Sequence, residues 1–339
     1  MYSFPSGISV IICCFNSARR IPKTLAHIAN QKFGRKAPWE IILVNNNSSD
    51  NTVDIAVECW KQHGLSVPFQ IVDQTIPGLT YAREKGVEVS RYEYLLFCDD
   101  DNWLDENYVE RAYNIMREKP EVGALGGAGL PTSENEYEYP SWFHKYKSHY
   151  ATGAQGPLEG GDTTHLKGCL YGAGMVIRKS ALHQIRDLGI RFSLSDRVGA
   201  SLTSGGDTET TYMLRTLGYR LWYDPKLTFY HYLPKSRVDW QYLLRLNKSI
   251  GGGDWVLEPY STAHPRSLSK RKLVVSILRE SLGIISSSLK ILMKETFPKE
   301  GSHRVLYFQR RLGRLSFMLR DGRSLYNENI KNISRLSAH

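Results

Sequence analysis

Short apolar runs recur through the first 130 residues: ISVIICC, EIILVNN, FQIVDQ, YEYLLFC and VGALGG. Between them lie longer stretches such as ARRIPKTLAHIANQ, DNTVDIAVECWKQHG, GLTYAREKGVEVS and DENYVERAYNIMREK. Runs of about six residues rich in Ile, Val, Leu and Tyr, alternating with helix-length segments, predict βαβ units and a mostly parallel sheet, that is, an α/β fold. Ligands of such sheets bind beyond the carboxyl ends of the strands. The polar clusters CFNSAR, NNNSSD, QTIPGLTYAR and DDDNW fall there, one after each of the first four strands. Ser49 or Asp50 is expected to cap the second helix. Residues 131–168 carry no period and predict a long loop; beyond them, GGDTETTYMLRTLGYRLWYDPKLTFYHYLP reads as helix followed by strand.

Composition adds a globular frame. A chain of 339 residues, 41% hydrophobic and 23% charged, can bury a large core, and we expect a main domain over residues 1–260, with halves near 1–130 and 131–260, and an appendage over 261–339. Five cysteines (Cys13, Cys14, Cys59, Cys98, Cys169), none in a CxxC pair, suit reduced core thiols and a cytoplasmic setting. The N-terminal MYSFPSGISVIICCF lacks a basic leader and its apolar run is short for a signal peptide or membrane span.

Charge changes the picture of the tail. Residues 261–339 hold 16 Lys and Arg against 5 Asp and Glu, leaving 28 against 29 in the rest, so the net charge of +10 lives in the tail. Val274, Ile277, Leu278, Leu282, Ile285, Leu289 and Leu292 follow helical spacing, as do Val305, Phe308, Leu312, Leu315 and Leu319. Two settings are expected for these basic amphipathic helices: an anionic surface on the inner face of the cell membrane, or packing on the main domain or in an oligomer. No nucleic-acid-binding motif accompanies the charge, so no nucleic-acid partner is expected.

Three carboxylates at a strand end, Asp99, Asp100 and Asp101, repel one another and desolvate badly unless a cation or solvent neutralises them. Bound Mg²⁺ or Mn²⁺ is one answer, since these ions take carboxylate and phosphate oxygens. The alternative is a capped turn into the helix near Asp105.

The segments VIICCFN, VNNNSSDNT, PGLTYAR, LLFCDDDNW, GAGMVIRKSAL, GGDTETTYMLRTLGY and FYHYLP occur in an order and approximate spacing that resemble the family 2 glycosyltransferases over about residues 7–240. That resemblance implies a GT-A fold and an inverting transfer from a nucleotide-diphosphate sugar. It places Cys14 and Asn16 beside the nucleoside, and Asn45 and Asn46 where the family often has a base-binding acid. Arg83 then lies near the phosphates, a task its planar fork suits. Asp99 and Asp101 stand at the family's DxD positions as ribose or metal and metal ligands. Asp100 is expected at the nucleotide-sugar site as the solvated residue between them. Asp207 looks like the general base, with Gly206 replacing the usual Glu. His231 is similar to a metal-shell or diphosphate-binding histidine, and Glu209, Trp103 and Arg237 stand as acceptor or supporting residues.

Trp142, Phe143, Tyr146, Tyr150, Trp240 and Trp255 could form an aromatic acceptor platform, although such residues usually pack. The expected function is metal-assisted glycosyl transfer to a glycan or lipid-linked acceptor in polysaccharide synthesis. The alternative is a catalytically silent sugar-nucleotide-binding or scaffold protein, prompted by Asn45, Asn46 and Gly206. A nucleotidyltransferase would want a Gly-rich basic phosphate loop that CFNSARR does not supply.

Overall fold

The computed structural model describes residues 2–33, 38–133, 137–194, 205–262, 265–294 and 299–339. Strands β1 (Ile8–Cys14), β2 (Trp39–Asn45), β3 (Phe69–Asp73) and β4 (Tyr94–Asp99) alternate with helices α1 (Ile21–Ala29), α2 (Thr52–His63) and α3 (Leu79–Val89). Then follow β5 (Asn102–Leu104), α4 (Tyr108–Glu118), β6 (Val122–Thr132), α5 (Phe143–Tyr146), β7 (Gly161–Asp162), β8 (Val176–Arg178), α6 (Lys179–Asp187), α7 (Gly206–Thr216) and β9 (Arg220–Tyr232). Helices α8 (Trp240–Leu257), α9 (Lys270–Lys294), α10 (His303–Leu319) and α11 (Gly322–Ser337) complete the chain.

The strands form one sheet in the order β3-β2-β1-β4-β8-β6-β9-β5, with β7 also on β9. The first four are parallel, as the alternation of runs predicts. The second half is mixed: β8 is antiparallel to β4 and β6, and β5 is antiparallel to β9. Alternate residues of β1 feed opposite faces, Ile11 with α3 and α7 on one side, Val10 and Ile12 with α1, α2 and α4 on the other. Two apolar layers therefore sandwich the sheet, the three-layer arrangement of an α/β fold.

Register decides where polar residues meet. Cys13 lies opposite Asp99, Cys14 opposite Asn45, and Asn45 opposite Asp73, so the parallel strands end in one row. From the other half, Asn102 pairs with His231 across β5 and β9, and the Tyr232 N–H donates to the Asp101 carbonyl at 2.9 Å. Two segments 130 residues apart in sequence thus meet at the end of β4.

The residues expected as a long loop contain α5 and β7 but no longer element. Helix α8 packs on α10 through glycines: a Cβ on Gly251 would lie 1.9 Å from the Arg310 carbonyl oxygen, and one on Gly313 would lie 1.7 Å from that of Lys248. Only hydrogen fits at this crossing. Helix α11 inserts Tyr326 and Leu336 into the apolar layer that holds Ile11 and Trp255.

Candidate active site

A cleft of about 590 Å³ opens beyond the carboxyl ends of β1, β2 and β4. Cys14, Asn46, Arg83, Asp99, Asp100, Asp101, Asp207, His231 and Arg237 all line it. Each aspartate of the triplet faces a different arginine. Arg83 Nη2 lies 3.7 Å from Asp99 Oδ1, Arg20 Nη2 donates to Asp100 Oδ2 at 2.6 Å, and Arg237 Nη1 donates to Asp101 Oδ2 at 2.8 Å. Opposite charge, rather than solvent, compensates the carboxylates.

Asp100 is not the solvated middle residue expected from the sequence. It is buried, its Oδ2 also accepts from the Ser17 hydroxyl, and its carbonyl accepts from Thr24 Oγ1 at 2.6 Å. Burial and the neighbouring Asp101 push its carboxyl above the usual carboxylate range, while Arg20 and Ser17 pull it back. Asp100 lines the cleft on the side of α1, whose first turns supply its partners Arg20 and Thr24. Burial works against the charge on Arg237, but Asp101, Tyr242 and Asp100 together more than offset it, and its guanidinium is held more firmly protonated.

Asp101 Oδ1 accepts from Asn102 Nδ2 at 3.0 Å and lies 3.6 Å from His231 Nε2. On the far side of that ring, Nδ1 sits 2.7 Å from the Tyr150 carbonyl oxygen. A carbonyl can only accept, so Nδ1 carries a hydrogen, and in the neutral ring Nε2 then holds the lone pair through which an imidazole ligates metals. Asp99, part-exposed and beyond hydrogen-bond distance of Arg83, keeps oxygens for a cation. This donor set fits a hard divalent ion that would take Asp99 and Asp101 and draw further oxygens from a diphosphate. Among the described residues no three acidic, His or Cys side chains already converge on a single metal position.

Asp207 enters from the first turn of α7. Its Oδ2 accepts from the Gly172 N–H at 2.7 Å and its Oδ1 from the Thr208 N–H at 2.7 Å. Two amides fix the carboxylate and leave it lone pairs toward the cleft. Gly205, at φ 122°, provides the turn that starts the helix there.

Three expected site residues are not brought to the cleft wall. Asn16 forms a positive-φ turn in which its Oδ1 accepts from the Ser49 N–H at 2.8 Å, tying the β1 and β2 loops. Glu209 is fully buried and accepts from the Ser193 and Leu194 N–H groups at 2.8 and 3.0 Å, which makes it a support for the chain beside α7 rather than an acceptor contact. Trp103 stacks between His27 and Tyr232 with the Lys23 ammonium 3.8 Å from its ring. Asn46 lines the cleft but is spent on the fold, donating to the Gln74 and Ile76 carbonyls and accepting from the Gly78 N–H. Beside it, Asn45 Nδ2 donates to Asp73 Oδ1 at 2.8 Å, so an acid does stand at this strand row, on β3 instead of β2.

The aromatic platform is a packing unit. Trp142, Phe143, Tyr146 and Tyr150 are buried with Trp240, Leu243 and Val305, and Trp255 lies in the main core; of the six only Tyr150 reaches the cleft. Sequence reasoning missed Arg20, whose place six residues past β1 was the available signal. It also missed Asp254, which lines the cleft from α8 and is gripped by Arg310 Nε and Nη2 at 2.5 and 3.0 Å. Asp50 ties the Ala18 N–H to the start of α2, whose first flanking residue is Asn51.

The family model described as glycosyl transferase family 2 matches residues 9–186. The chain belongs to that family. Among curated relatives, the poly-beta-1,6-N-acetyl-D-glucosamine synthase of Staphylococcus epidermidis is 30% identical over 122 residues, 36% of this chain and 28% of that one. The putative glycosyltransferase EpsH of Bacillus subtilis is 33% identical over 105 residues, 31% of this chain and 29% of its own. The matched region thus spans less than a third of these relatives. In three dimensions the chain is similar to S. aureus TarS 1–349, whose structure was solved in complex with UDP-GlcNAc: TM-score 0.50, 17% identity, 98% of this chain and 89% of that one. That likeness establishes a shared GT-A fold, with the trailing helices included in the match.

Proposed function

We propose that the protein is an inverting glycosyltransferase that moves a sugar from a nucleotide-diphosphate donor to an acceptor hydroxyl of a glycan or lipid-linked glycan during polysaccharide synthesis. The observation that carries this reading is Asp207, fixed by two backbone amides in the same cleft as three aspartates and three arginines. UDP-N-acetylglucosamine is the first donor to test, on the strength of the relatives' names and the neighbour's bound nucleotide.

The donor's diphosphate lies along the strand ends, where Arg83 and Arg237 offer guanidinium groups to its oxygens. A divalent cation held by Asp99, Asp101 and His231 would lower the charge on the departing diphosphate. Asp207 accepts the acceptor's O–H proton as that oxygen bonds to the anomeric carbon from the side opposite the breaking C–O bond. The electron pair of that bond leaves with the nucleoside diphosphate, and the anomeric configuration inverts. Asp254, Leu246, Ile250 and Leu257 of α8 line the same cleft and would meet the acceptor.

The test is turnover of UDP-N-acetylglucosamine and a panel of other nucleotide sugars with Mn²⁺. Asp207→Asn should lower kcat by about a thousandfold, within the range for removal of a general base, while donor affinity holds. EDTA should abolish turnover and added Mn²⁺ or Mg²⁺ restore it. Nucleotide binding without transfer or donor hydrolysis, and an Asp207→Asn variant that behaves as the parent, would leave the silent scaffold as the correct reading.

A further inference from the structure

Helix α9 turns one face inward and leaves the other uncovered. Ile277 packs against the main core and Ile291 against the aromatic cluster, while Glu280 is buried and bound by Arg311 Nε at 2.8 Å. On the outer face Val274, Leu278, Leu282, Ile285, Leu289 and Leu292 lie within an arc of about 100°. They are 53–76% exposed, and Met293 beside them is 82% exposed. Scaled to whole side chains, these fractions amount to roughly 700 to 900 Å² of apolar surface, above the largest patch of a typical soluble monomer.

The charges around the patch say what can cover it. From Arg266 to Met293 every exposed charged side chain is positive: Arg266, Lys270, Arg271, Lys272, Arg279 and Lys290. The one acid of the helix, Glu280, is already neutralised inside. Two copies pairing through this face would bring a dozen like charges together, an arrangement that interfaces avoid. A surface with apolar depth beneath an anionic layer satisfies both features at once. No described helix is long and apolar enough to cross a membrane.

We infer that α9 is an interfacial anchor: it lies in the plane of an anionic phospholipid bilayer, with Leu278, Leu282, Ile285 and Leu289 below the headgroups and the lysines and arginines among them. The inference is independent of the glycosyl-transfer reading, because its readout is lipid binding. The full-length protein is sedimented with phosphatidylcholine vesicles with and without phosphatidylglycerol. Binding should require the anionic lipid and weaken as salt is raised. Leu282→Ser with Leu289→Ser, at exposed positions that leave the fold unchanged by circular dichroism, should weaken binding by at least about tenfold; Arg279→Glu with Lys290→Glu should do so most at low salt. Equal binding to both vesicles, no binding to either, or an unaffected Leu282→Ser/Leu289→Ser variant overturns the proposal. So does a stable dimer by light scattering that this variant turns into monomer, since a second copy then covers the face.

Discussion

Asn46 uses both ends of its amide to hold the turn between β3 and α3, with partners at 3.0, 2.7 and 2.8 Å. Asn46→Ala leaves a buried N–H and two carbonyls without partners, and we expect a loss of about 2 kcal/mol, read by urea denaturation. Cys13, which also lines the cleft, has its acidity set by its surroundings. Burial, against the pull of Arg83 and with the push of Asp99 and Asp100, raises its thiol to about 12 from the ordinary 9.0. A folded value above the unfolded one means the stabilisation is complete below pH 9 and fades as pH climbs toward 12. At pH 8 the thiolate fraction is on the order of one in ten thousand, so iodoacetamide should label Cys13 in the native protein far more slowly than in the denatured chain, by mass spectrometry. What the sequence showed at this scale was residue type: Asp99, Asp101, Arg83, Asp207 and His231 do gather in one cleft. What it could not show was pairing. Arg20 and Asp100 are 80 positions apart, and nothing local marks one as the other's partner.

At the level of elements, α9 and α10 have similar apolar stripes in the sequence but different surroundings. Of the α10 stripe only Val305 is buried, Phe308, Leu312 and Leu315 are half-buried and Leu319 is exposed, and the helix meets α8 through Arg310, Gly313 and Phe317 instead, whereas the outer face of α9 is bare. Periodicity reports that a helix has an apolar side; it does not report what lies against it. The same limit hid β5 and β8, whose three residues each are too short for a period and are ordered by their neighbours. The α8–α10 crossing gives a prediction with an unusual sign. In an exposed helix, Gly→Ala gains up to about 1 kcal/mol of helix propensity. Gly313→Ala should instead cost more than about 2 kcal/mol, since its methyl must displace the Lys248 carbonyl. Chemical denaturation of that variant beside Gly218→Ala, where a Cβ meets nothing within 4 Å but the φ of 92° is itself strained, separates crowding from backbone cost.

Over the whole molecule, one apolar layer runs from Ile11 in the first strand to Leu336 near the end, through Trp255, Leu268, Met318 and Tyr326. The sequence suggested a division near residue 260, where charge changes, but charge is a surface property and the core ignores it. Asn329 Nδ2 donates to the Val256 carbonyl at 2.9 Å across that line. A chain ending at residue 260 should therefore be insoluble or unfold far below the parent temperature, as checked by expression and calorimetry. The three aspartate–arginine pairs carry a consequence at this same scale. The cleft is an ion exchanger held at balance: an anion that draws an arginine toward itself uncovers an aspartate, and a cation that takes the aspartate frees an arginine. On the proposed function, this trade of partners would make nucleotide and divalent ion tighten each other's binding, and thermodynamic reciprocity would make the factor the same in both directions, so titrating either ligand across a series of the other would measure, in a single number, how strongly opposite charges trade partners here.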